Sequence, residues 1–220
     1  MAVAAGVVGV LVWVLWASPL LAVRTVQVDG VVALPADQVR QSAGIARGTP
    51  LLRVDVAAAK ARVALLPQVA RVSVALGWPD RVVITVTERV AVAVVGPPGE
   101  RSLVDRTGVL FDTITGSPPR GVVPIDVPHP GPHDPGTTAA LAAVTALPHA
   151  LLSRVAHVAA TDAGEVTVSL TDGTKVVWGS GDRSAAKAAA LDGILQQVGV
   201  GALAPARTID VSTPTAVVLR

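Results

Sequence analysis

The chain has 220 residues, enough for one large domain or two small ones; 51% are hydrophobic but only 2% aromatic, so a core must be assembled from Val, Leu, Ile and Ala. A formal net charge of +2, with no run of Lys or Arg, gives no argument for a nucleic-acid footprint. The absence of cysteine excludes disulfides, thiol chemistry and Cys-ligated zinc.

From Ala2 to Val23 no residue is charged, and at about 1.5 Å per residue a helix of this length covers roughly 33 Å, enough for a bilayer core. A cleaved signal peptide calls for a basic leader, a shorter apolar stretch and a small-x-small cleavage site, none of which is evident. Residues 1–23 are therefore predicted to be a retained transmembrane anchor, with Trp13 and Trp16 as interfacial residues. Arg24 stands alone on the C-terminal side, and charge counting by itself would put that side in the cytoplasm.

Val23, Val26 and Val28 then lead into Asp29-Gly30 as a short strand closing in a turn. Pro35-Ala36-Asp37 opens a helix that carries Val39 and Ala43 and stops at Gly44. A second helix starts near Asp55, a capping residue, and stops at Pro67. In "LPQVARVSVALGWPDRVVITVTERVAV" the alternations Val72, Val74, Leu76 and Val82, Ile84, Val86 read as a hairpin turning at Gly77–Asp80, with one face on a core. The order is strand, helix, helix, strand, strand. Another strand is expected at 91–95, and "SLVDRTGVLF" reads as strand, turn, strand. Residues 116–136 hold seven prolines and are predicted to be an extended loop. An Ala-rich helix over 137–152, broken or ended by Pro148, precedes a strand meander in "HVAATD", "EVTVSL" and "KVVWG". Asp182 or Ser184 starts a last helix through Val198. A strand near 207–211, a break at Pro214 and "TAVVLR" close the sequence.

No set of residues reads as an active site. Ser184-Ala-Ala-Lys187 matches the Ser-x-x-Lys nucleophile motif, but the Ser-Asp-Asn and Lys-Thr-Gly partners are missing, and Ser184 is better explained by the start of its helix. His129, His133 and Asp134 form an incomplete ligand set in a Pro-rich loop. Asp105 is expected to accept backbone hydrogens in its turn, and Trp78 and Trp178 to pack near turns. No cofactor or metal is expected.

The segments "VQVDG", "LLRVD", the hairpin to Val95, "LVDRTGVLF", "DGTKVVWGSGD" with Lys187, and "ARTIDVSTPTAVVLR" together resemble the FtsQ/DivIB family of bacterial cell-division proteins over nearly the entire chain. The chain departs from that pattern at Val90, where a proline is usual, and at Ser180, where an arginine is usual. The resemblance implies an α+β protein: a single transmembrane helix (1–23), a POTRA domain of order β-α-α-β-β (24–91), and a mostly antiparallel β domain with two or more helices (92–220). It also implies a non-enzymatic scaffold of the division septum in the cell membrane. The N-terminus would be cytoplasmic and the bulk extracytoplasmic, with FtsB/DivIC-like and FtsL-like partners linking it to septal peptidoglycan synthesis. Two other readings stay open: a membrane-anchored cell-wall-processing enzyme, and a POTRA protein of a secretion or outer-membrane assembly system.

Two groups of residues are singled out. Glu88 and Arg89, at the end of the hairpin, are expected to pair across the domain junction. The partner site is expected on a C-terminal strand made of Thr215, Ala216, Val217, Val218, Leu219 and Arg220. That strand is apolar up to its last residue, and its edge lacks the charge or proline that usually protects one. The alternative is a central strand with Val217 and Leu219 facing the core.

Overall fold

The computed structural model describes residues 21–219, so the predicted span lies outside the described residues except at its end. Among the described residues no helix is long and apolar enough to cross a membrane. The chain divides into two compact units, with the boundary between Arg89 and Val90.

The first unit follows the expected order: β1 (Thr25–Asp29), α1 (Ala36–Ala43), a 3-10 turn (Leu51–Arg53), α2 (Val56–Ala64), β2 (Val69–Gly77) and β3 (Arg81–Glu88). Each boundary has a local cause. Gly44 adopts φ 61° and returns its N–H to Arg40 and Gln41, which ends α1. The Asp55 carboxylate accepts the Ala58 N–H at 2.8 Å and caps α2. The hairpin pairs Val72 with Val86, Val74 with Ile84 and Leu76 with Val82, so every predicted apolar position lies on one face. Parallel pairing of β1 with β3 makes a three-stranded sheet of order β1-β3-β2. Val39, Ala43 and Val63 of the helices close over Val82, Ile84 and Val86, joined by Val23, Leu34 and Leu51. Val23, the last residue of the expected span, is thus part of this core, and Ala22 before it is buried as well, so the expected span runs two residues too far. Trp78, expected to pack, is instead 55% exposed, because the turn carries it outward from the hairpin tip.

The second unit is a nine-stranded sheet with helices against it. Its strands are β4 (Ala91–Val95), β5 (Arg101–Asp105), β6 (Leu110–Ile114), β7 (Val123–Asp126), β8 (Val155–Ala160), β9 (Val166–Leu170), β10 (Lys175–Gly179), β11 (Thr208–Asp210) and β12 (Val218–Leu219). The helices are α3 (Pro135–Ala146), α4 (His149–Leu152) and α5 (Ser184–Gly199). The strand order is β12-β11-β10-β9-β8-β7-β4-β5-β6. Most neighbours are antiparallel, and the parallel pairs are β4 with β7, β7 with β8, and β10 with β11. Helix α3 packs on β4, β8, β9 and α5, and Trp178 is fully buried in the same core.

The Pro-rich segment 116–136 is not loop throughout, because β7 lies inside it, near the middle of the sheet, and its last residues already belong to α3. Pro124 lacks an N–H for the ladder, yet Val123, Ile125 and Val127 are buried and hold the strand in place.

Candidate functional site

Strand β12 forms one end of the large sheet, hydrogen-bonded to β11 on one side only. The local sequence explains its position. After β11, Asp210 Oδ1 accepts the Ser212 N–H at 3.0 Å, and the Ala216 N–H donates to the Thr213 carbonyl at 2.9 Å. The resulting turn around Pro214 reverses the chain, so that Val218 comes opposite Asp210 and Leu219 opposite Ile209. Thr215 and Ala216 are exposed residues of this turn rather than strand residues, because the 213–216 bond closes there. The strand is therefore shorter than expected, and Arg220 lies outside the described residues. Val217 is half-buried against the core.

Successive strand residues point to opposite faces. Val218 is 43% exposed and Leu219 36%, so both faces of this edge remain partly open. The strand is thus an edge and not a central strand, although Val217 just before it faces the core as the alternative reading had it. The remaining edges differ in chemistry: β6 carries exposed Asp112, β1 carries Asp29 clasped by Gln27 Nε2 at 3.0 Å, and β2 carries exposed Arg71. Charge on an edge discourages strand addition. Among the described residues, β12 is the edge with apolar side chains and no such charge.

The groups weighed for chemistry have other partners. Ser184 Oγ donates to the Gly181 carbonyl at 2.8 Å and accepts the Trp178 Nε1–H at 3.1 Å. Lys187 is buried, with Nζ donating to the Ser180 carbonyl at 2.8 Å. Burial, and then the neighbouring Arg183 guanidinium, push the Lys187 pKa below its ordinary value despite Asp182 and Glu165. Neither member of the Ser-x-x-Lys pair is hydrogen-bonded to the other. Asp134 caps α3 through the Thr137 N–H at 2.6 Å and hydroxyl at 2.7 Å, and His129 sits 3.2 Å from Asp162. Asp105 accepts the N–H groups of Thr107 and Val109, as its turn requires. Among the described residues no three His, Asp or Glu side chains converge as a metal site.

Glu88 accepts the N–H groups of Val32, Ala33 and Leu34 at 2.6, 3.0 and 2.9 Å. Partial burial raises its pKa, but the three donors outweigh that and hold the carboxyl below its ordinary range. Arg89 Nε donates to the Pro67 carbonyl at 2.9 Å. These bonds of the expected junction pair thus lie inside the first unit. The tie between Glu88 and the 32–34 loop was missed in the sequence. Its signal was Gly30, whose φ of 81° turns the chain back toward the end of β3.

Comparison with known proteins gives a consistent picture. A family model described as a POTRA domain, FtsQ-type, matches residues 21–89, and one described as the C-terminal part of cell division protein FtsQ/DivIB matches residues 93–212. Cell division protein FtsQ of Mycolicibacterium smegmatis is 39% identical over 200 residues, covering 91% of this chain and 57% of the relative. The FtsQ of Mycobacterium leprae is 39% identical over 200 residues, with 91% and 56% covered. The FtsQ of Streptomyces bingchenggensis is 35% identical over 212 residues, with 93% and 78% covered. The chain thus spans less than two thirds of the two mycobacterial relatives.

Proposed function

Because the chain belongs to the FtsQ/DivIB family, we propose that it is a non-enzymatic scaffold of the bacterial division septum. In this reading the uncharged stretch ahead of residue 22 crosses the cell membrane once, the N-terminus is cytoplasmic, and the two folded units lie outside. The second unit recruits an FtsB/DivIC-like protein, which with an FtsL-like partner connects division to septal peptidoglycan synthesis. The supporting observation is the bare apolar end of the sheet at β12. An added strand supplies backbone hydrogen bonds for affinity, and side-chain contacts along the edge supply selectivity.

Neighbouring strand residues turn their N–H groups to opposite sides, so one of Val218 and Leu219 faces β11 and the other faces outward. Proline removes the donor and fixes φ. Binding of an FtsB-like partner to residues 21–220, Val218→Pro and Leu219→Pro would be measured by calorimetry, with circular dichroism reporting folding. The variant whose amide faces outward should stay folded and lose affinity at least about tenfold. Wild-type affinity in both variants, each folded, would refute this partner site.

A further inference from the structure

The first unit receives the chain at one end of its sheet and releases it at the other. Thr25 of β1 stands opposite Arg81 at the start of β3, and β3 ends at Glu88, next to the boundary with the second unit. Three segments converge on the entry end: residues 22–25, the loop 46–53 and the hairpin tip 77–81. The Val23 N–H donates to Thr49 at 2.9 Å, the Gly48 N–H donates to Val23 at 2.8 Å, and Ala22 bridges to Pro50. The Arg24 N–H donates to the Asp80 carbonyl at 2.8 Å, which locks the tip against the incoming chain.

This end shows an indole, a leucine and several guanidinium groups to its surroundings. Trp78 is 55% exposed and Leu52 43%. Arg24, Arg47 and Arg81, carried by the segments that meet here, are exposed as well. The acids nearby are Asp80, 3.9 Å from the Arg24 guanidinium, and Asp55, which caps α2, so the balance is basic. An amphipathic indole and a bare leucine ringed by guanidinium groups match the boundary of a bilayer. There Trp lies among the headgroups and Arg binds phosphate oxygens through its fork of N–H donors. The uncharged stretch Ala2–Val23 arrives at this same end.

We propose that the entry end of the first unit docks on the membrane surface. Trp78 and Leu52 sit in the headgroup layer, and Arg24, Arg47 and Arg81 contact lipid phosphates. This rests on the reading that the uncharged stretch ahead of residue 22 spans the bilayer. The consequence is a first unit that stands on the membrane by a fixed end instead of swinging on its anchor, with its other end directed away from the lipid.

The chain has no cysteine, so single labelling sites can be introduced at will. Ala46→Cys marks the entry end and Thr87→Cys the opposite end of β3. Each full-length variant carries a fluorophore and is inserted in nanodiscs of phosphatidylcholine with phosphatidylglycerol, with a spin-label quencher on the lipid headgroup. Quenching at position 46 should exceed that at position 87 at least about threefold. It should fall toward the level of position 87 in Arg24→Glu/Arg81→Glu, in Trp78→Ser, and in discs without phosphatidylglycerol, since each arginine near an anionic surface strengthens association about fivefold. Equal quenching at the two positions overturns the proposal. Stronger quenching at 46 that ignores both charge reversal and lipid charge also overturns it, since proximity to the anchor alone then suffices. Flotation in 1 M salt tests the span separately. A chain that washes off refutes the anchor and the docking face together, whereas one that stays with equal quenching refutes docking alone.

Discussion

A single carboxylate orders the turn that leads from β1 toward α1. Glu88 gathers three N–H groups that no strand or helix supplies with partners. Its pKa is lower folded than unfolded, so the contribution is complete above the unfolded value of about 4.3 and is lost as pH falls through the folded one. Glu88→Gln should cost about 1 kcal/mol or less, because the carboxylate is partly solvated. Amide exchange at Val32, Ala33 and Leu34 should quicken in the variant at pH 7 and match wild type near the acid end, where both side chains are neutral. Ser184 is a different case, since it partners a buried indole N–H. Ser184→Ala leaves that donor unpaired and should cost about 1–3 kcal/mol, read as a lower urea midpoint in Trp178 emission. Lys187 has a folded pKa below its unfolded value of about 10.4, so the unfolded chain binds the extra proton in between. Stability should therefore rise with pH across that alkaline window, and Lys187→Met should abolish the rise.

At the scale of elements, chain direction is set by a few positions with no substitute. A Cβ on Gly30 would lie 2.2 Å from the Val86 carbonyl oxygen, at a φ of 81°. Gly30→Ala should cost at least about 2 kcal/mol by thermal unfolding, from the left-handed backbone and the clash together. Elements with such punctuation were legible in the sequence: α1 ending at Gly44, α2 capped by Asp55, and the hairpin whose alternation put Val82, Ile84 and Val86 inside. These are local effects, decided within a few residues. Strand β7 was not legible, because Pro118, Pro119 and Pro124 argue for loop while the burial that overrides them comes from β4, β8 and α3. The alternation Val123, Ile125, Val127 was the available signal. The partner edge was half legible. Its apolar character is written in "TAVVLR", but the turn from Thr213 to Ala216 that shortens the strand depends on the reversal after β11.

For the whole molecule, the proposed span sets the side of the membrane on which both folded units lie. A reporter active only outside the cytoplasm, fused after Arg220, should be active, and an inactive fusion in a stably produced chain would count against that topology. The sheet of the second unit also has a seam. On one side lies the meander β4-β5-β6, on the other β8-β9-β10, each built from antiparallel neighbours close in sequence. Within the sheet β7 joins them, through parallel pairs with Val94 on one flank and Val158 on the other, each about thirty residues from its partner. The meanders pay little loop-closure entropy and should form early, leaving insertion of β7 as the slow step. Truncating Val168 to Ala in the β9 meander, whose contacts are made before that step, should then slow folding with little effect on unfolding, whereas truncating Val123 or Ile125 should both slow folding and speed unfolding. A four-residue segment containing a proline would thus act as the clock for the unit that presents β12.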